Sequence, residues 1–169
     1  LAANSKLALD WVPFIAGKRE SRRLLGDHIV TQNDMVNGEF FEDAVGTTDW
    51  GIDLHYETST SYISTYKKTN IAKPSYFPFR SLYSRNVPNL MMAGRNFSCT
   101  HAGLGSPRVQ NTTGQMGVAV GYATAICKQY GITPRDLYRS PERTIELQAR
   151  ITGTWPSRPG TTGYTMDNT

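Results

Sequence analysis

No stretch of this 169-residue chain stays apolar for anything near the roughly 20 residues that a helix needs to cross a bilayer, so no membrane span is expected. Cysteine is scarce. The two present, Cys99 and Cys127, have no metal-ligand spacing; a single disulfide between them is compatible with the sequence, and they do not fix a compartment. Charge of one sign is also missing: 18 basic against 14 acidic residues leave +4, spread along the chain, with Arg22-Arg23 and Lys67-Lys68 among the basic pairs. Even with the further pair Lys18-Arg19, that is too dispersed for a nucleic-acid footprint. There is no internal repeat and no paired-carboxylate arrangement. At 38% hydrophobic residues and a mean hydropathy of −0.44 the chain can fill one domain with a modest core. A soluble, bacterial-type protein, cytoplasmic or exported, is the expectation.

Against these absences, the stretch from Asn89 to Ala125 stands out. Asn89-Leu90-Met91-Met92-Ala93, entered through Val87-Pro88, is a short apolar run bounded by turn residues, the pattern of a strand buried on both faces as in a parallel sheet. Gly94 then permits close approach of a backbone or ligand, and Arg95 adds a planar charge suited to phosphate. Ala93-Gly94-Arg95 is equally readable as a plain strand-ending turn. Ser106-Pro107 and Thr112-Thr113-Gly114-Gln115 each carry a helix-opening signal, and Gly131 supplies the stop, predicting a long helix to about Tyr130. Within it Gly114, Gly117, Gly121 and Ala125 share one stripe. Each glycine costs about 1 kcal/mol relative to alanine, so the stripe calls for a close contact, from a ligand or from tightly packed protein. Free amides at Thr112 to Gly114 would welcome an electron-rich group.

These residues carry a resemblance. NLMMAGRNFSCTHAGLGSPRV followed by GQMGVAVGYATAI is similar to the C-terminal cofactor-closing segment of FAD-dependent oxidoreductases of the glutathione-reductase and fumarate-reductase type. RESRRLLGDHIVTQND (from Arg19), WGIDLH (from Trp50) and FPFRSLYSRNVPNL (from Phe77) resemble further segments in the same order. The resemblance implies FAD as cofactor and an α/β fold: the C-terminal portion of an FAD-binding Rossmann-like domain with part of a mixed, β-rich substrate domain. It further implies that residues 1–84 belong to the substrate or cap region, 85–151 to the FAD-binding domain and 152–169 to an irregular tail. The GxGxxG of such proteins, which holds adenine and pyrophosphate, is absent here. The chain is therefore expected to be the C-terminal part of a longer protein, with the missing N-terminal part as its partner. Where many relatives carry glutamine-alanine-alanine between the two helix glycines, this chain has Val118-Ala119-Val120.

By the same resemblance Gly94 and Arg95 lie near the ribityl-phosphate region, while Met116, Gly117 and Val118 lie near the pyrimidine end of the flavin. Gly105, Ser106, Thr113 and Gly114 complete the expected cofactor-binding set. His101, in the loop before the long helix, can face flavin or substrate, and Arg108 can hold an anion; both are equally readable as loop braces. Asp53 and His55 alternate on a predicted strand and so share a face, which suits an imidazole poised for proton transfer or a plain surface pair. No metal site is expected. Arg80, between aromatic and apolar neighbours, needs a carboxylate, a phosphate or an exposed edge.

The remaining pattern predicts a helix to about Ile15, a short strand near Arg22–Leu25 and a helical turn capped by Thr31. It continues with a strand over Ala44–His55 broken at Thr47-Thr48, a loop-like polar run from Glu57 to Ser75, and a strand over Phe77–Tyr83. Thr133-Pro134 and Ser140-Pro141 then open two helices, the second ending at about Ile151. The reaction expected is hydride transfer between an organic substrate, small or sugar-like, and flavin N5. The alternatives are a carbohydrate-processing enzyme with a polysaccharide-lyase-like label, drawing on nine tyrosines and three tryptophans, or a non-catalytic interaction module.

Overall fold

The protein is described by a computed structural model, which covers residues 8, 10–15, 22–58, 61–72 and 74–154. Helices and small sheets are mixed. Helix α1 (Gln32–Asn37) starts at Thr31, whose hydroxyl accepts from Asp34 N while the Asp34 carboxylate accepts from Thr31 N, and it stops at left-handed Gly38. Strand β1 (Ala44–Thr48) pairs antiparallel with β4 (Ser75–Pro78), and β2 (Ile52–Thr58) with β3 (Ser61–Thr69). A single turn, α2 (His101–Leu104), precedes α3 (Gln110–Tyr130), which Gly131 ends in the left-handed conformation. Helices α4 (Pro134–Arg139) and α5 (Pro141–Ile151) each place proline in the first turn behind a Thr133 or Ser140 cap.

One core joins these elements. On α3 the residues Thr112, Met116, Ala119, Ala123 and Ile126 recur every three or four positions and are buried, packing against β1, α4 and α5. Around them Phe77, Phe79, Tyr83, Phe97 and Leu147 are almost completely withdrawn from water, each such burial stabilising by about 1.5–3 kcal/mol. Charged pairs fix the periphery. Asp43, fully buried, takes the Arg80 backbone N–H and a two-pronged guanidinium contact at 3.0–3.1 Å, so that of the three partners open to Arg80 a carboxylate is the one found, while Arg80 lies 4.8 Å from the Tyr138 ring centre. Asp27 accepts two bonds from Arg135, both 2.7 Å, and one from the Tyr83 hydroxyl at 2.9 Å, tying its loop to α4.

Several expectations are corrected. Asn89–Ala93 is not a strand: Val87 to Asn89 are spent in a turn closed by Leu90 N donating to Val87 O. What remains makes one bridge, Met91 to Tyr83, and Leu90 is exposed. The isolated Val30–Cys99 bridge is the parallel pairing found among the described residues. The polar run contains β3, because pairing with β2 satisfies its backbone whatever its side chains. The strand expected over Phe77–Tyr83 ends at Pro78 and continues as a 3-10 turn, Phe79–Ser81, and that over Ala44–His55 is divided at 49–51. Residues 22–25 form no strand, although Leu24 N donates to Asn96 O, and residues 10–15 are not helical. The rest of that N-terminal helix, and the tail beyond Thr154, lie outside the described residues. No described helix is long and apolar enough to cross a membrane.

Hydrogen bonding to Arg135 holds the Asp27 carboxyl below the usual carboxylate range. Its contribution to stability is therefore complete above the unfolded value of about 4 and is lost as pH falls through the lower native value. Asp27→Asn should cost about 2 kcal/mol at neutral pH and flatten the acid limb of a urea-denaturation series. An unchanged acid limb would remove Asp27 from the account.

Candidate functional site

The 105–115 segment is joined to the 47–53 segment at three levels. Gln115, one turn into α3, spans both backbone groups of Thr47: its Oε1 accepts from Thr47 N at 3.0 Å and its Nε2 donates to Thr47 O at 3.1 Å. The carboxamide thus occupies the edge of β1 that β4 leaves open, standing in for a strand neighbour. Next, buried Ser106 hydrogen-bonds the Thr48 hydroxyl at 3.1 Å and donates to Trp50 O. Finally, Asp53 N donates to Gly105 O at 3.3 Å, and the Arg108 guanidinium pairs with the Asp53 carboxylate. The fit is close: a Cβ on Gly46 would come within 2.2 Å of Phe77 Cζ and 2.9 Å of Gln115 Oε1, and one on Gly105 within 2.9 Å of Ile52 Cγ2.

Beside this seam lies a cleft of about 530 Å³, walled by Thr47 to Trp50 and Pro74 on one side and by Val109, Asn111, Thr112 and Gln115 on the other. It opens on the N-terminus of α3. Val109 precedes the helix and has no side-chain acceptor to cap it; the first helical bond runs from Thr113 N to Val109 O. The amides of Gln110, Asn111 and Thr112 therefore have no acceptor within the helix, and no acidic residue sits in its first turn. Farther along, Gly114, Gly117, Gly121 and Ala125 are all exposed, and a Cβ built on any of these glycines would meet nothing within 4 Å. The stripe expected from the sequence forms a bare face, with no packing against described residues.

The other expected site residues fall into place around α3. Gly94, at φ +72°, opens a 3-10 turn (Gly94–Asn96) that packs on α3, and here conformation rather than crowding calls for glycine. Arg95 is exposed on that turn. Thr113 donates its hydroxyl to Gln110 O, Met116 is wholly buried, main chain included, and Val118 is half-buried. His101 stands exposed at the first position of α2, which packs on α1 and β2 and does not line the cleft. Nor does Arg108, whose Nε is buried without a hydrogen bond. His55 pairs with Tyr66 in the β2–β3 ladder, and its side chain lies outside the described part. Burial pushes the Cys99 thiol up to about 12 and that of Cys127 up to about 11, so neither is a ready nucleophile.

A family model described as FAD dependent oxidoreductase matches residues 2–151. The chain belongs to this family. No curated protein and no solved structure gives a significant match. Membership makes FAD the cofactor and a flavin oxidoreductase the general activity, and it carries the Rossmann-like assignment, which the two small antiparallel sheets do not establish alone. The residues present fit the flavin end of such a cofactor: uncapped amides at a helix N-terminus suit its electron-rich pyrimidine edge, and a side-chain-free glycine face suits a flat ring. Gln115, which the sequence offered only as part of a helix-opening signal, is the residue that ties α3 to β1. The signal that could have found it is a polar side chain on the buried side of the helix, three residues beyond Thr112 and one before Met116.

Gly46→Ala tests the seam. Its methyl group would force apart Phe77 and Gln115, so the denaturation midpoint should fall by the equivalent of about 1–3 kcal/mol. A variant as stable as the wild type would show that the seam has slack.

Proposed function

We propose that this chain forms the flavin-facing wall and part of the substrate pocket of an oxidoreductase that moves hydride between an organic substrate and FAD. The observation that carries the reading is the uncapped start of α3 running directly into the bare face of Gly114, Gly117 and Gly121. When bound, FAD supplies N5 as the atom that takes or gives the hydride, and a separate acceptor removes the electrons.

The chain's own residues do the rest. The Gln110 to Thr112 amides and the positive end of α3 hold the electron-rich edge of the ring and favour negative charge there. Thr113, Gly114 and Gly117 give the surface on which the ring lies, with half-buried Val118 alongside and wholly buried Met116 anchoring the helix behind it. Gly94 and Arg95 serve the ribityl-phosphate end, where a guanidinium is matched to phosphate. Gly105 and Ser106 act indirectly, by locking the loop before α3 against β2. On the substrate side, His101 and His55 are the candidate proton carriers and Arg108, oriented by Asp53, the candidate anion contact. Residues 1–84 would then belong to the substrate region and 85–151 to the FAD-binding domain, with pyrophosphate held by a GxGxxG segment outside this sequence.

The test is the visible spectrum of the full-length protein and of Gly117→Leu. Nothing crowds a Cβ at Gly117, and leucine is the better helix former, so the variant should fold with a melting temperature no lower than that of the FAD-free wild type. It should nevertheless lose the flavin bands near about 370 and 450 nm. A colourless wild type that takes up no added FAD would overturn the proposal, and a yellow Gly117→Leu would remove the ring from this face.

A further inference from the structure

The geometry points to Gln115 as a positioning residue of the flavin site, one that sets the first turns of α3 against the substrate-side wall of the cleft; this rests on the flavin reading above. Three observations converge on it. Gln115 uses both ends of its carboxamide on a single residue, Thr47, at 3.0 and 3.1 Å, so neither a shift along β1 nor a tilt away from it keeps both bonds. The next residues of the same strand and turn, Thr48, Asp49 and Trp50, form one wall of the cleft, while Asn111 and Thr112, one turn before Gln115, form the other. Gly46 leaves the space that the carboxamide fills. The side chain therefore fixes the width of the cleft between the uncapped helix amides and the Thr48–Trp50 turn without itself offering a reactive group.

A neutral carboxamide is the ionisation-independent choice for this place, since it must accept from an N–H and donate to a C=O at once. A carboxylate can only accept, so at Gln115→Glu it would face the Thr47 carbonyl with a lone pair. A protonated carboxylic acid does both. Gln115→Glu thus becomes a switchable version of the native contact, and Gln115→Met a version without it.

The experiment compares FAD dissociation constants and flavin band shapes for wild type, Gln115→Met and Gln115→Glu of the full-length protein, at about pH 8 and about pH 5, either side of a glutamate value that desolvation against β1 and the facing Thr47 carbonyl raise from the ordinary value of about 4.3 to above about 5. Folding is checked by circular dichroism at each pH. Expected is a binding loss of about tenfold in Gln115→Met at both values, and in Gln115→Glu at the higher pH only, with recovery toward wild type at the lower. Wild type should vary little by comparison. If Gln115→Met does not fold, the pH-dependent recovery of Gln115→Glu decides alone. Variants that melt earlier but bind FAD with native affinity and an unaltered band shape would make Gln115 a purely structural brace and overturn the inference, leaving the flavin reading intact. A wild type that binds no FAD would instead sink the flavin reading on which this one stands.

Discussion

Two hydrogen bonds from one carboxamide, Gln115 to the backbone of Thr47, hold together parts of the chain that are 68 positions apart. They belong to a seam in which Ser106 meets Thr48 and Trp50, and Arg108 and Gly105 meet Asp53. Each contact satisfies a polar group that the approach of the two segments takes out of water, and a buried group left unpaired would cost about 1–3 kcal/mol. The arrangement therefore resists partial opening. It presses the buried side of α3, from Thr112 to Ile126, onto β1 and the two following helices. The uncapped start of α3 and its glycine side are left facing away from the core.

That asymmetry divides the labour of the helix. Its packed side uses Met116, Ala119 and Ile126 for cohesion, where side-chain volume is needed. Its bare side gives up side chains, at about 1 kcal/mol of helix stability for each glycine, and nothing among the described residues offsets that cost. On the proposed reading, a flat cofactor ring, or protein brought close to the backbone with it, supplies the missing contact. The family to which the chain belongs makes FAD that cofactor. Ion pairs remote from this face, Asp43 with Arg80 and Asp27 with Arg135, keep the surrounding loops in place.

Legibility in the sequence followed locality. Thr31 with Asp34, Thr133 with Asp136, Ser140 with Pro141, and the Gly131 stop were readable because capping depends on residues within one turn of each other. Arg80 announced its need for a carboxylate, a phosphate or an exposed edge, but not which of these, nor that Asp43 would answer it. Strand β3 was missed because its register comes from β2 across a turn, and its polar composition gave the expectation of a loop. Asn89–Ala93 misled in the opposite sense: the run is apolar enough for a buried strand, yet Pro88 and the turn around it use up the residues that a ladder needs. The seam itself was invisible, since Gln115 and Thr47 gain meaning only when the fold brings them together. Gly105, Ser106 and Arg108 were singled out through family resemblance, and what the fold adds is their partners in β2 and the turn before it.

The central claim is that the start of α3 and its bare face are where the flavin rests. Backbone hydrogen exchange of the full-length protein, read by mass spectrometry with FAD bound and after its removal, reports on those amides directly. The account predicts that FAD slows exchange most in peptides covering residues 109–121, with a smaller effect at Gly94 to Asn96 and little at α4 and α5. Equal exchange over 109–121 in the two states, with protection concentrated elsewhere, would contradict it.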